Sequence, residues 1–317
     1  MAPASPLLTS DMVRAVTTPD ALRALLGDGT HNWPVAQRHL LVAAHGRVFD
    51  ADLVRALVEL PATTAEILAR NPHLAAPERS VLARWAAQVL VHSGPAYLDN
   101  PQRATAMRVW NRLVTQRGLP PDDPAVDDLL AALETDSDAR DTICQALITH
   151  PALPAEPLAR VFEVMLAHHM WDSPLALWHP HATAAMCARA LKATDDPQVF
   201  DAIIGHPTAL QDPAIRETLW DTFQHEHRLG PIDPAILTAL FAAEPPATYR
   251  AHLGWWLHQD PRATAAALQV ITPAQAATLS RTNLETLCQH ELSEIRDAAL
   301  RILPHLPTTP RQAPRAH

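Results

Sequence analysis

The sequence predicts an all-α chain, an irregular right-handed α-solenoid of stacked helix hairpins, and three observations lead there. Only 8 of 317 residues are Gly while 30 are Pro. The tight Gly-dependent hairpins of sheets and the Gly-rich phosphate loops of nucleotide-binding folds therefore have little material to work with. Apolar residues make up 48%, mostly Ala and Leu with 5% aromatic, which suits helices packing through small and unbranched side chains. The prolines stand at the edges of apolar segments of period 3.6, where a helix-start residue belongs.

The elements follow in order. From Ala76 to His92, Val81, Leu82, Trp85, Val89 and Leu90 share one face, opposite Arg79, Arg84 and Gln88. From Pro101 to Gln116, Ala104, Met107, Trp110, Leu113 and Val114 do the same, opposite Arg103, Arg108 and Arg112. Both stripes predict amphipathic helices. In PPDDPAVDDLL, Asp123 is placed as the N-cap of a helix begun by Pro124, with Asp127 and Asp128 complementing the dipole in its first turn. Near the C-terminus, Ser293 is the expected N-cap of a helix with the stripe Ile295, Ala298, Ala299, Ile302 and Leu303, closed by Pro304.

An aliphatic residue, two spacers, then Asn or His and Pro recurs as Leu68-Ala69-Arg70-Asn71-Pro72, Leu147-Ile148-Thr149-His150-Pro151 and Ile203-Ile204-Gly205-His206-Pro207. Leu74, Leu153 or Leu210 follows as a plug between helices, and Pro77, Pro157 or Pro213 then opens a longer helix. Leu287-Cys288-Gln289-His290-Glu291-Leu292 is a degenerate copy without the Pro. Proline forces the preceding residue out of the α region and so ends the short helix. Each copy predicts a helix hairpin.

These turns resemble those of the HEAT-like superfamily, closest to its leucine-rich repeat variant, in which a short and a longer helix alternate around Asn-Pro or His-Pro turns. Asp212-Pro213-Ala214-Ile215-Arg216 and Ser293-Glu294-Ile295-Arg296 are similar to the start of a second HEAT helix. The spacings of 79 and 56 residues between Pro72, Pro151 and Pro207 are irregular, and the cysteine cluster of some leucine-rich variants has no counterpart. The resemblance implies an extended surface that holds another protein, with no cofactor.

The expected organisation is a single array over 1–305, with a soft division near 118–123 and a disordered tail over 306–317. The division follows charge: residues 1–118 carry a net +3 and 119–317 a net −12, within an overall −9. The bias of 24 Arg to the single Lys192 fits GC-rich coding of a bacterial type. The longest uncharged stretch, Ala263 to Ser280, is broken by Thr and Pro and inserts poorly in a bilayer. The N-terminus lacks the basic region and apolar run of a signal peptide. A cytoplasmic protein without a membrane partner is expected, its Cys144, Cys187 and Cys288 being buried thiols.

Three groups of residues are candidates for chemistry. His168, His169, His179 and His181, with Asp172, offer metal ligands, though none has the i, i+4 spacing of a helical pair. The competing reading places His168, His169, His225 and His227 at helix C-termini, where imidazoles interact with exposed carbonyls. Arg79, Arg84, Arg103, Arg108, Arg112 and Arg117, with Trp85, Tyr97 and Trp110 among them, can form an anion-binding stripe for nucleic acid if they share a surface. Tyr249, Trp255 and Trp256 are candidates for a protein contact, with one of the adjacent indoles at an edge. No nucleophilic Ser motif, phosphate loop or CxxC occurs. The leading expectation is a non-catalytic scaffold for a protein partner. A nucleic-acid-binding solenoid and a histidine-based metalloenzyme are the alternatives.

Overall fold

The computed structural model describes residues 50–58, 63–94, 99–135, 138–170, 173–193, 196–226 and 234–305, together with 16, 18–21 and 24. The expected tail over 306–317 and the candidates Tyr97, Asp172 and His227 lie outside the described residues, as does the side chain of His225. Among the described residues every regular element is helical. None of the described helices is long and apolar enough to cross a membrane. The chain divides into two compact units, Met1–Ala182 and Thr183–His317. The charge shift near 118–123 falls inside the first.

In the first unit the helices are α1 (Ala51–Val58), α2 (Thr63–Arg70), α3 (Ala76–Val91), α4 (Pro101–Gln116), α5 (Pro124–Leu133), α6 (Arg140–Ile148) and α7 (Ala155–Ala167), followed by a 3-10 segment, Ser173–Trp178. Packing is local in sequence: α3 lies on α4 and α5, α2 on α4, and α6 on α5 and α7. The second unit holds α8 (Ala184–Ala193), α9 (Pro197–Gly205), α10 (Pro213–Glu226), α11 (Pro234–Ala243), α12 (Pro246–Gln259), α13 (Pro261–Val270), α14 (Pro273–Ala276), α15 (Arg281–Leu287) and α16 (Ser293–Ile302). There α11 packs on α13, α12 on α13, and α15 on α16.

Side chains just outside the helices fix where they begin. Asn100 accepts the Gln102 and Arg103 amides at 3.0 and 3.2 Å ahead of Pro101. Asp123, Asp196 and Asp212 each accept the amide two residues on at 2.9 Å, starting α5, α9 and α10 at a proline. Thr272 and Gln275 form a capping box on α14. Ser293 departs from the expected role. It is the first residue of α16, whose N-cap position is held by Leu292 without a side-chain bond, and the helix runs on into a 3-10 turn through Pro304.

The helices present a different face from the one the large side chains mark. In α3 the buried set is Glu78, Leu82, Ala83, Ala86, Ala87 and Leu90, while Val81, Trp85 and Val89 are half-buried. In α4, Thr105, Ala106 and Val109 join Trp110, Leu113 and Val114, and Ala104 is exposed. Alanines allow two helices to approach closely, so the contact centres on them and pushes the bulky Trp85 to the rim.

Each expected hairpin turn is present, with a short helix before it and a longer one after. At Asn71, His150 and His206 the turn residue's amide donates to the carbonyl three residues back, at 2.9, 3.1 and 3.1 Å. Its side chain then accepts the amide two residues on, through Asn71 Oδ1 (3.0 Å) or Nδ1 of His150 and His206 (3.3 Å each). Nδ1 of a histidine and Oδ1 of an asparagine are both bonded to Cγ, so the imidazole makes the same turn as an Asx residue. His290 repeats it at 3.1 Å although Glu291 replaces the proline. A fifth copy, His179-Pro180, accepts the His181 amide at 3.1 Å.

The plug position is three residues after the turn residue. Leu74 and Leu153 fill it and are buried, whereas in the third turn Ala209 is buried there and Leu210 is half-buried. Leu292 of the degenerate copy is exposed. Replacing Leu153 by Ala is therefore expected to cost about 2–5 kcal/mol in chemical denaturation, and Leu210→Ala less than about 2 kcal/mol.

Candidate functional site

The best-defined surface feature grows out of the His150 and His179 turns. His150 is fully buried beside Trp110, with ring centroids 6.4 Å apart. Its carbonyl accepts the Leu153 amide at 3.0 Å and also His179 Nε2–H at 2.8 Å. His179 thus uses both ring nitrogens, Nδ1 as acceptor and Nε2 as donor, in the neutral Nε2–H tautomer. Burial pushes its pKa below the ordinary 6.5, and His181 adds to the effect against the His150 carbonyl. The 3-10 segment that ends at this pin holds Ser173, Pro174, Ala176 and Leu177 in the core. It turns Leu175 and Trp178 outward, 49% and 55% exposed. Trp85 and Trp255, by contrast, are half-buried, and Trp110, Trp220 and Trp256 are core residues.

Among the described residues the four candidate histidines do not gather into one ligand set. His168 and His169 end α7 in a Schellman-type closure, with Met170 N–H donating to Met165 O at 3.0 Å and His169 in the left-handed region at φ 52°. Both are exposed, as is His181. His179 has no lone pair left for a metal. Among the described residues no group of three or more His, Cys, Asp or Glu is placed to hold a metal ion.

Of the six stripe arginines Arg84 and Arg108 are exposed and the others half-buried. Arg79 donates to Leu74 O at 3.2 Å in the turn before α3, and Arg117 to Arg70 O at 2.8 Å at the end of α2. Arg108 reaches from α4 to Glu66 on α2 at 3.2 Å, where Arg70 also binds at 2.6 Å. Burial pushes the Glu66 carboxyl up, but the hydrogen bonds from Arg70 and Arg108 outweigh it and hold the pKa below its usual value. Arg84 faces Asp128 at 3.8 Å, and Arg103 and Arg112 are half-buried.

The aromatic candidates of the second unit are mostly core. Tyr249 and Trp256 are fully buried, with the Tyr249 hydroxyl donating to Ala267 O at 3.0 Å, so of the three only Trp255 reaches solvent. Burial raises the Tyr249 pKa well beyond the usual phenol range. Tyr249 packs on Phe241, and Phe241 and Trp256 pack on Trp220, whose indole meets a buried carboxylate that sequence reasoning missed. Glu244 accepts Trp220 Nε1–H at 2.9 Å and the Thr248 hydroxyl, and lies 3.8 Å from Arg216 and 3.6 Å from His252. His252 stacks on Trp220 at 4.5 Å, and burial lowers its pKa more than Glu244 and Asp221 raise it. The Gln275 side chain donates to the Phe241 and Glu244 carbonyls at 2.9 and 2.6 Å. The partners of the carboxylate lie on α10 and α12, and Gln275 of α14 holds the backbone carbonyl of the same residue, which makes Glu244 a structural tie. Cys144 and Cys187 are buried, burial pushing the Cys187 thiol up to about 11, and Cys288 is half-buried.

No family model and no curated protein matches the chain. Among solved structures, an engineered protein from the Northeast Structural Genomics Consortium aligns over 93% of each chain at 13% identity, with a TM-score of 0.43.

Glu244→Ala is expected to destabilise the chain by about 3 kcal/mol or more in urea unfolding, because it strands Arg216 and the Trp220 indole in the core.

Proposed function

We propose that this chain is a non-catalytic helical-repeat scaffold of the HEAT-like kind and that it binds another protein through the face carrying Leu175 and Trp178. The observation that carries the reading is Trp178, 55% exposed on a segment whose neighbours on both sides are buried. An exposed indole is a favoured interface anchor. The helix–turn–helix units support the HEAT-like part, since they alternate short and long helices and pack mainly on near neighbours in sequence. Of the candidate ligands, His179 has both ring nitrogens in internal hydrogen bonds, which fits a binding scaffold better than a metal centre.

Crosslinking from a photoreactive residue at position 175 in cell extract tests the proposal. A stoichiometric protein partner is expected. Trp178→Ala should lower its recovery about tenfold or more while leaving the thermal midpoint unchanged. Equal recovery from both proteins would sink the reading.

A further inference from the structure

His150 and His179 are joined in series, and each ring is held by a bond that exists only while it is uncharged. The Ala152 amide donates to His150 Nδ1 at 3.3 Å and the His181 amide to His179 Nδ1 at 3.1 Å. Protonation puts a hydrogen on Nδ1 and turns each acceptor into a donor facing another donor. Both rings are buried, 0% and 7% exposed. Water cannot take over the contact without the turn opening. The equivalent position in the first turn is Asn71, which makes the same bond through Oδ1 and does not titrate.

We propose that the paired His150 and His179 turns form an acid-labile joint, in which protonation of the rings breaks the Nδ1 acceptor bonds and releases the segment bearing Leu175 and Trp178. The surroundings favour this response. The titratable groups acting on the rings are His179 on His150 and His181 on His179, both cationic when protonated, and no carboxylate is among them. Burial of His150 outweighs the Leu119 and Pro120 carbonyls, which favour its cation, and Asp123 in the same loop is committed to the Ala125 amide at 2.9 Å. On the packed helix α7, Arg160 is paired with Glu134 of the residue stretch after α5. Trp110 offers His150 an aromatic neighbour and no charge.

The direction in pH follows from linkage. Burial lowers both pKa values below the ordinary 6.5, so the opened state takes up protons first. The joint contributes fully above about pH 6.5 and loses that contribution as the pH falls through the lowered values. This inference does not depend on the protein-binding reading, since it concerns the isolated chain.

Hydrogen exchange of the full chain tests it, measured at neutral pH and at about pH 5.5 and corrected for intrinsic exchange rates. In the wild type, peptides spanning 150–153 and 179–182 should lose about tenfold or more of their protection at the lower pH, while the Asn71 turn over 71–74 keeps its own. The double variant His150→Asn with His179→Asn supplies the same acceptor without the titration and should lose no more than about twofold. If that variant does not fold, His179→Asn alone is read on 179–182. Nitrogen chemical shifts of the two wild-type rings at neutral pH give a second readout, with the Nε2–H tautomer expected. Unchanged protection in the wild type, an equal loss in the Asn variant, an equal loss at 71–74 or a protonated Nδ1 at neutral pH would each overturn the proposal.

Discussion

A hydrogen-bond acceptor bonded to Cγ at the residue that ends a short helix is the constraint on which the rest of the chain depends. At Asn71, His150, His179, His206 and His290 it captures the amide two residues on, while the turn residue's own amide closes on the carbonyl three residues back. Those carbonyls belong to Leu68, Leu147, Ala176, Ile203 and Leu287, all buried. The apolar anchor and the polar turn are thus one unit. Proline assists by fixing φ and removing an amide that would need a partner. It is not essential, since the His290 turn forms without it.

Secondary ties build on this frame. Arg79 and Arg216, each the fourth residue of a long helix, return to the carbonyls of Leu74 and Leu210 at 3.2 and 2.7 Å. Arginine at that position therefore belongs to the turn. In the second unit, Glu244 and Gln275 do for helix ends what the turn histidines do for hairpins. They place a buried polar group where several backbone or indole donors and carbonyls would otherwise go unmatched.

Much of the helical pattern was legible because its signals are local. Asp123 before Pro124 is a cap in sequence and in space, and the three proline-marked turns announce themselves by spacing. What lay outside reach was the face each helix buries. Trp85 and Trp110 look alike in the pattern, yet the alanines of α3 decide which of them is central. Glu244 carries no motif; its importance comes from residues as distant in sequence as Trp220 and Gln275. His179 was misdirected by its company. Grouped with His168, His169 and His181 it reads as a ligand, whereas Ala176, three residues earlier, identifies it as a turn residue in the same register as Leu147 and His150.

The shared geometry of the turns also sets the alphabet open to this chain as it drifts. Glutamine carries its amide one carbon too far out and serine offers an oxygen one atom too close, so neither reproduces a Cγ-borne acceptor. Asparagine, aspartate and histidine do, and at the fully buried position 150 an ionised aspartate would be costly. At position 150 the choice thus narrows to two residues that build the same turn but answer differently to protons.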